Sequence, residues 1–165
     1  MNKEEHALIW FRADLRAQDN TALQVAADSG RTVIACFVVT PEQWREHDMA
    51  PIKARFIGQN VKILQQVLSN RGIPLKILNV PSFKQLPEAL LSLCQLCNVT
   101  SLFANHEYGV NEKRRDLCCT SLLEAHGINS YFFHDQTALA PGSVTKPDGQ
   151  PYKVFTPFSK KWRQL

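Results

Sequence analysis

From Thr32 to Val39 the chain reads TVIACFVV, an almost continuously apolar run rich in β-branched residues. A strand with one wet face would alternate apolar and polar side chains. A run without alternation needs cover on both faces, which is the environment of a strand inside a parallel sheet. Ala7 to Arg12, with Ile9, Trp10 and Phe11, is a second run of this kind, too short for a helix. Pro74 to Val80, Val99 to Ala104 and Asn129 to His134 predict three more strands. Segments with apolar residues at helical spacing lie between them. Ala22, Leu23, Val25 and Ala26 form the first stripe, with Asp19 or Asn20 as its cap and Gly30 as its stop. After the Thr40-Pro41 break and a polar stretch to Pro51, the spacing of Ile52, Phe56, Ile57, Val61, Leu64, Val67 and Leu68 predicts a long helix ended by Gly72. Leu90, Leu91, Leu93, Cys94 and Cys97 mark a third, with Pro87 in its first turn. The fourth runs from Asn111 to Gly127, with Asn111 as cap, Glu112 in the first turn and Leu117, Cys118, Ser121 and Leu122 inward.

Strands alternating with helices predict an α/β fold: a five-stranded parallel, doubly wound, Rossmann-like sheet of order 3-2-1-4-5 with helices on both faces, spanning residues 1–134. With 165 residues, 44% hydrophobic, the chain has enough apolar material for one such core. Its apolar runs fall far short of the ~20 residues a membrane-spanning helix needs. Lys3, Glu4 and Glu5 precede no cleavage site of the secretory type, so a cytoplasmic location and no membrane partner are expected. The five cysteines are odd in number and mostly sit in apolar segments, as reduced thiols do. Residues 135–165 change character. Pro141, Gly142, Pro147, Gly149, Pro151 and Pro157 mark a connector, yet Tyr152, Val154, Phe155, Phe158 and Trp162 are too apolar for a solvated tail. The net charge of +4 resides entirely from Lys146 onward, in Lys146, Lys153, Lys160, Lys161 and Arg163 against Asp148. Cations interleaved with aromatics suit either nucleic acid or packing against protein, and packing is the commoner use. The expectation is that the natural protein continues and that this segment packs on a second domain.

A doubly wound sheet binds ligands at the carboxyl ends of its strands, where strand order reverses, here between strands one and four. The loops at that end carry Arg12 to Arg16, Asn105 to Glu112, and Gln43, Trp44, His47 and Asp48. No glycine precedes Gly30, so neither type of glycine-rich phosphate loop is present. Cys94 and Cys97 lack a matching second pair, so no metal site is expected. Arg12, Asp14, Arg16 and Asp19 could clamp an anion, although alternating charges beside a buried strand more often pair with one another. Glu112 suits a helix start, and a carboxylate can equally accept paired hydrogen bonds from the amidine edge of a planar heterocycle. His47, between Glu46 and Asp48, is expected to be exposed.

Ile9-Trp10-Phe11-Arg12-Ala13-Asp14-Leu15-Arg16 followed by Asp19-Asn20, Thr40-Pro41 with Gln43-Trp44, Asn111-Glu112, and Tyr152-Lys153-Val154-Phe155-Thr156-Pro157-Phe158 ahead of Trp162 together resemble the photolyase and cryptochrome family. The resemblance covers the whole chain and points to the N-terminal α/β domain of bacterial cyclobutane pyrimidine dimer photolyases. It implies light-driven repair of UV-damaged DNA by reduced FAD, held in a C-terminal helical domain that these residues do not include. It implies a methenyltetrahydrofolate antenna at the domain interface, with His47, Asn111 and Glu112 at the matching positions and Glu112 on the pterin edge. Gly109 departs from the acidic residue that folate-binding relatives often carry there. No catalytic residue is expected within these 165 residues, and the whole protein is expected to be a monomer whose partners are DNA and its own second domain. A cryptochrome-type photoreceptor domain, a stand-alone module for a small ligand or single-stranded DNA, and a nucleotide-binding α/β domain of another kind are the alternatives.

Overall fold

Along the first strand, Leu8 and Trp10 face one side of the sheet and Ala7, Ile9 and Phe11 the other, all fully buried. This strand is central in a computed structural model that describes residues 4–165. The elements in chain order are β1 (His6–Phe11), α1 (Thr21–Asp28), β2 (Thr32–Val39), α2 (Pro41–Glu46), α3 (Pro51–Ser69), β3 (Leu75–Asn79), α4 (Leu86–Leu96), β4 (Val99–Asn105), α5 (Val110–Ala125), β5 (Asn129–Phe133) and α6 (Phe155–Trp162). The strands form one sheet in the order β3-β2-β1-β4-β5, and every pairing is parallel. Fold class and strand order are as expected.

Each face has its own core. On one, α4 and α5 lay Leu86, Leu90, Leu91, Cys94, Cys119 and Leu123 over Leu8, Trp10, Cys36 and Leu102. On the other, α1 and α3 lay Ala22, Leu23, Ala26, Val61, Leu64 and Leu68 over Ile9, Phe11, Phe37 and Phe103. Asn20 caps α1, its side chain accepting from the Leu23 N–H at 3.0 Å. Cys36, Cys94 and Cys119 are buried as free thiols, whereas Cys118 is exposed.

Four details differ from the sequence-based expectations. The polar stretch after β2 contains α2, opened by Pro41 in its first turn; six residues without a buried side chain leave no apolar stripe to read. The N-terminal half of the α3 stripe stands clear of the core, with Ile52 78% and Phe56 63% exposed. Helix α5 begins on Gly109, so Asn111 is not its cap, and its buried face is Arg115, Asp116, Cys119 and Leu123, while Leu117 and Cys118 point outward. A face that buries an ion pair escapes any rule that seeks apolar stripes. The segment 135–165, lastly, holds a helix. Pro157 occupies the third position of α6, where an N–H would have no intrahelical acceptor. No residue of α6 is buried, and Phe155 is 76% exposed.

Candidate functional site

A cleft of about 920 Å³ opens at the carboxyl ends of β1 and β2. Trp10 and Arg12 from β1 and its loop, with Phe37 and Val38 from β2, form its floor. One wall comes from α2, the following turn and α3, through Trp44, His47, Met49, Lys53, Phe56 and Asn60. That wall owes its course to a tight exit from α2. Asp48 takes the left-handed conformation at φ 48, and the Met49 N–H donates to the Trp44 carbonyl at 2.9 Å, which turns the chain into α3. The opposite wall is the region after β4, with Glu107, Glu112 and Arg115.

Under this cleft lies a buried ionic network. Asp116 accepts from Arg12 Nη1 through both carboxylate oxygens at 3.0 Å, and from Arg115 Nε and Nη2 at 2.9 and 2.7 Å. Arg115 Nη2 also donates to Glu107 at 2.8 Å. Burial alone would pull the Arg115 guanidinium down, but Asp116 and Glu107 together overcome it and raise its pKa. Both guanidinium carbons lie close to the Trp10 ring, at 4.7 Å for Arg12 and 4.8 Å for Arg115, within cation–π range. Arg12 keeps unused capacity. Among the described residues, its Nε and Nη2 and the Trp10 Nε1 are buried without a hydrogen-bond partner, and Glu107 stands 3.9 Å from Arg12 Nε. Unsatisfied donors beneath a cleft fit a ligand that presents acceptor atoms.

Beside the cleft, the residues after β1 pair with distant partners. Arg16 Nη2 donates to Asp135 at 2.6 Å, and Asp14 accepts from Asn20 at 3.1 Å and from Asn105 at 2.8 Å. The charges of that loop therefore serve structure. The His106 and His134 rings stand 4.7 Å apart, and Tyr108 Oη lies 2.9 Å from His134 Nδ1. Burial, then the neighbouring His134, lower the pKa of His106.

Of the three residues expected at a ligand site, His47 and Glu112 line this cleft from opposite walls, although 65 positions separate them. Asn111 is exposed on α5 and is not among the lining residues. Among the described residues, the Glu112 carboxylate has no hydrogen-bond or ion-pair partner. Sequence reasoning missed Met49, Lys53, Phe56 and Asn60 as wall residues, because their place depends on how α3 sits over the sheet. It also missed Arg115 and Asp116. Their only signal was a helix too charged, through Lys113, Arg114, Arg115 and Asp116, to bury an apolar stripe throughout.

The family described as DNA photolyase matches residues 7–165. A Vibrio cholerae protein named deoxyribodipyrimidine photo-lyase is 42% identical over 158 residues, which cover 96% of this chain and 34% of that protein. Among solved structures, a Synechocystis cryptochrome matches with a TM-score of 0.85 at 22% identity, over 97% of this chain and 33% of its own. A Sulfolobus tokodaii photolyase, solved with two FAD molecules, matches with a TM-score of 0.79 at 23% identity, over 97% and 35%. The structural likenesses show the fold. This chain thus spans about a third of the length of the curated relatives it matches. No helix among the described residues is long and apolar enough to cross a membrane. A match running from the first strand through the cleft to the last residue leaves one conclusion: the chain belongs to the DNA photolyase family.

Proposed function

We propose that this chain is the light-harvesting α/β domain of a deoxyribodipyrimidine photolyase, a parent enzyme that repairs cyclobutane pyrimidine dimers in UV-damaged DNA. Its cleft holds an antenna chromophore, methenyltetrahydrofolate, while FAD and the lesion pocket belong to a C-terminal domain. The observation that carries this reading is the meeting of His47 and Glu112 across one cleft at the carboxyl edge of the sheet. The chemistry of the walls fits a planar heterocycle. Trp44 and Phe56 offer aromatic surface, Glu112 an unshared carboxylate for the donor edge of a pterin, and His47 a polar rim. Bound there, the folate supplies absorption of near-ultraviolet and blue light and passes the excitation to the flavin.

Residues 135–165 are proposed as the start of the connector between the two domains. The exposed Phe155 and Trp162 of α6 and the neighbouring Val154 then face the second domain, and Lys160, Lys161 and Arg163 bring positive charge to the same segment. The residues of this chain bind and orient the antenna and exclude water from it, and none performs the bond cleavage. The test is folate uptake by the full-length gene product, followed by absorption. Glu112→Ala and His47→Ala are expected to lower occupancy at a fixed folate concentration, and Arg31→Ala, remote from the cleft, is expected to leave it unchanged. Equal occupancy in all four proteins sinks the assignment. The isolated chain is expected to show no light-dependent dimer reversal.

A further inference from the structure

We propose that Lys53 is a specificity-determining residue: its ammonium receives the carboxylate tail of a ligand whose hydrogen-bonding edge meets Glu112 on the opposite wall. The inference deepens the antenna reading and rests on it. Arg12, Arg16, Lys53 and Arg115 are the cations of the cleft lining, and the three arginines are already paired. Arg12 and Arg115 share Asp116, and Arg16 holds Asp135. Among the described residues, the Lys53 ammonium has no hydrogen-bond or ion-pair partner. The residue is exposed, so a ligand reaches it without rearrangement.

Lys53 belongs to a continuous face of α3. With Phe56, Ile57 and Asn60 it occupies positions i, i+3, i+4 and i+7, which share one side of a helix, and all four line the cleft. That face extends about 10 Å along the helix axis. The cleft volume of about 920 Å³ is near the upper end of the ~300–1,000 Å³ typical of small-molecule sites, so it has room for a ring with an extended tail. Its two walls offer free groups of opposite charge. Glu112 accepts from N–H donors, whereas Lys53, in a first helical turn without an acidic residue, favours an anion. Asp48, in the turn before α3, also lines the cleft and makes no ion pair with Lys53 among the described residues. A folate has the matching polarity, with a donor edge on its pterin and a glutamate at the far end of the molecule. A bare ring would leave Lys53 without a partner.

The test compares the affinity of the full-length gene product for methenyltetrahydrofolate and for methenyltetrahydropteroate, the same molecule without its glutamate. Lys53→Gln is expected to weaken folate binding about threefold, the size of an exposed ion pair, and to leave pteroate binding unchanged. Reversing the charge doubles the effect in free energy, so Lys53→Glu is expected to weaken folate binding about tenfold. Both losses are expected to shrink in about 1 M salt, where screening acts within about 3 Å. Arg55→Gln removes the same charge from α3 at a position off the lined face, and is expected to change neither affinity. Glu112→Ala is expected to weaken both ligands alike. A Lys53→Gln loss that is matched with pteroate or equalled by Arg55→Gln, or no loss at all, overturns the role of Lys53 and leaves the antenna reading standing. If Glu112→Ala affects neither ligand, the pterin-edge reading falls, and a folate-selective loss in Lys53→Gln still assigns the tail. An unsubstituted protein that binds neither ligand overturns both.

Discussion

Removal of the Asp116 carboxylate offers the sharpest test of how this domain tolerates two guanidinium groups under its cleft. Four hydrogen bonds, between 2.7 and 3.0 Å, converge on a side chain that is 11% exposed. In Asp116→Ala, Arg115 retains Glu107 at 2.8 Å, but the Arg12 guanidinium loses the carboxylate it donates to and faces Glu107 only at 3.9 Å. The substitution thus leaves one buried charge uncompensated. Breaking a buried pair on one side costs ~3–5 kcal/mol, and the remaining Glu107 places this case in the lower half, at about 3–4 kcal/mol. For a domain of this size that corresponds to a fall in Tm of about 10 °C. Urea unfolding followed by far-ultraviolet circular dichroism measures it, with the slope against denaturant expected to stay constant. The comparison variant is Arg31→Ala, which removes the exposed 3.3 Å pair with Glu5 and is expected to cost under about 1 kcal/mol. If the two substitutions agree within 1 kcal/mol, the buried network does not carry the weight argued for it. A second check uses sign. Arg12→Met made on top of Asp116→Ala removes the stranded charge and is expected to recover part of the loss, whereas simple additivity of two destabilising changes contradicts the account.

Thiol reactivity follows from burial. Burial pushes Cys94 and Cys119 up to about 12 and raises Cys36 well above its ordinary value, so a thiol reagent at pH 8 is expected to label only Cys118 and the half-buried Cys97 in the native protein; a third reactive thiol before unfolding contradicts this. His106 has a folded pKa below its unfolded value, so the unfolded state binds the proton more readily. Its contribution is complete above about pH 6.5 and is lost as pH falls through the folded value. Stability measured from pH 8 to pH 5 is therefore expected to fall more steeply in the natural protein than in His106→Asn, and the reverse ordering refutes it. Deleting residues 152–165 removes no buried side chain and is expected to shift stability by less than about 1 kcal/mol; a loss above about 2 kcal/mol assigns those aromatics to the core of this domain.

What could be read in advance, and what could not, divides along physical lines. β2 was legible to the residue because a strand covered on both faces writes its environment into every side chain. The long stripe of α3 was legible as a helix, but periodicity reports an apolar face without saying what covers it. Ile52 and Phe56 belong to the same apolar series as Leu64 and Leu68, yet only the last two are buried. In α5 the apolar rule led to Leu117 and Cys118, whereas the buried positions include the charged Arg115 and Asp116, whose partners lie up to 104 residues away. His47 and Glu112 were found through motif likeness. Their common cleft depends on α2, which no local pattern announced. Asn111, equally prominent in the motif, lies outside that cleft, because one step along a helix turns the next side chain by about 100°.

The absence of glycine after β1 has a structural counterpart that explains where the cleft lies. In folds that bind nucleotides with a glycine-rich turn, the first free N–H groups of the following helix receive the phosphate. Here those donors are already engaged. The Thr21 N–H donates to Asp135 at 3.4 Å, the Ala22 N–H to Asn105 at 3.1 Å and the Leu23 N–H to Asn20 at 3.0 Å. Asp14 and Asp135 add two carboxylates to the same cluster, where they would repel a phosphate. The crevice between β1 and β4 is thus filled from within, by this polar cluster beside α1 and by the Arg12–Asp116 pair below α5. The cleft lies toward β2, and the turn from α2 into α3 raises a wall around it there. The open surfaces of that site are aromatic, through Trp44 and Phe56, and its lining combines the carboxylates of Asp48 and Glu112 with the cationic Lys53 and the buried N–H donors of Arg12 and Trp10.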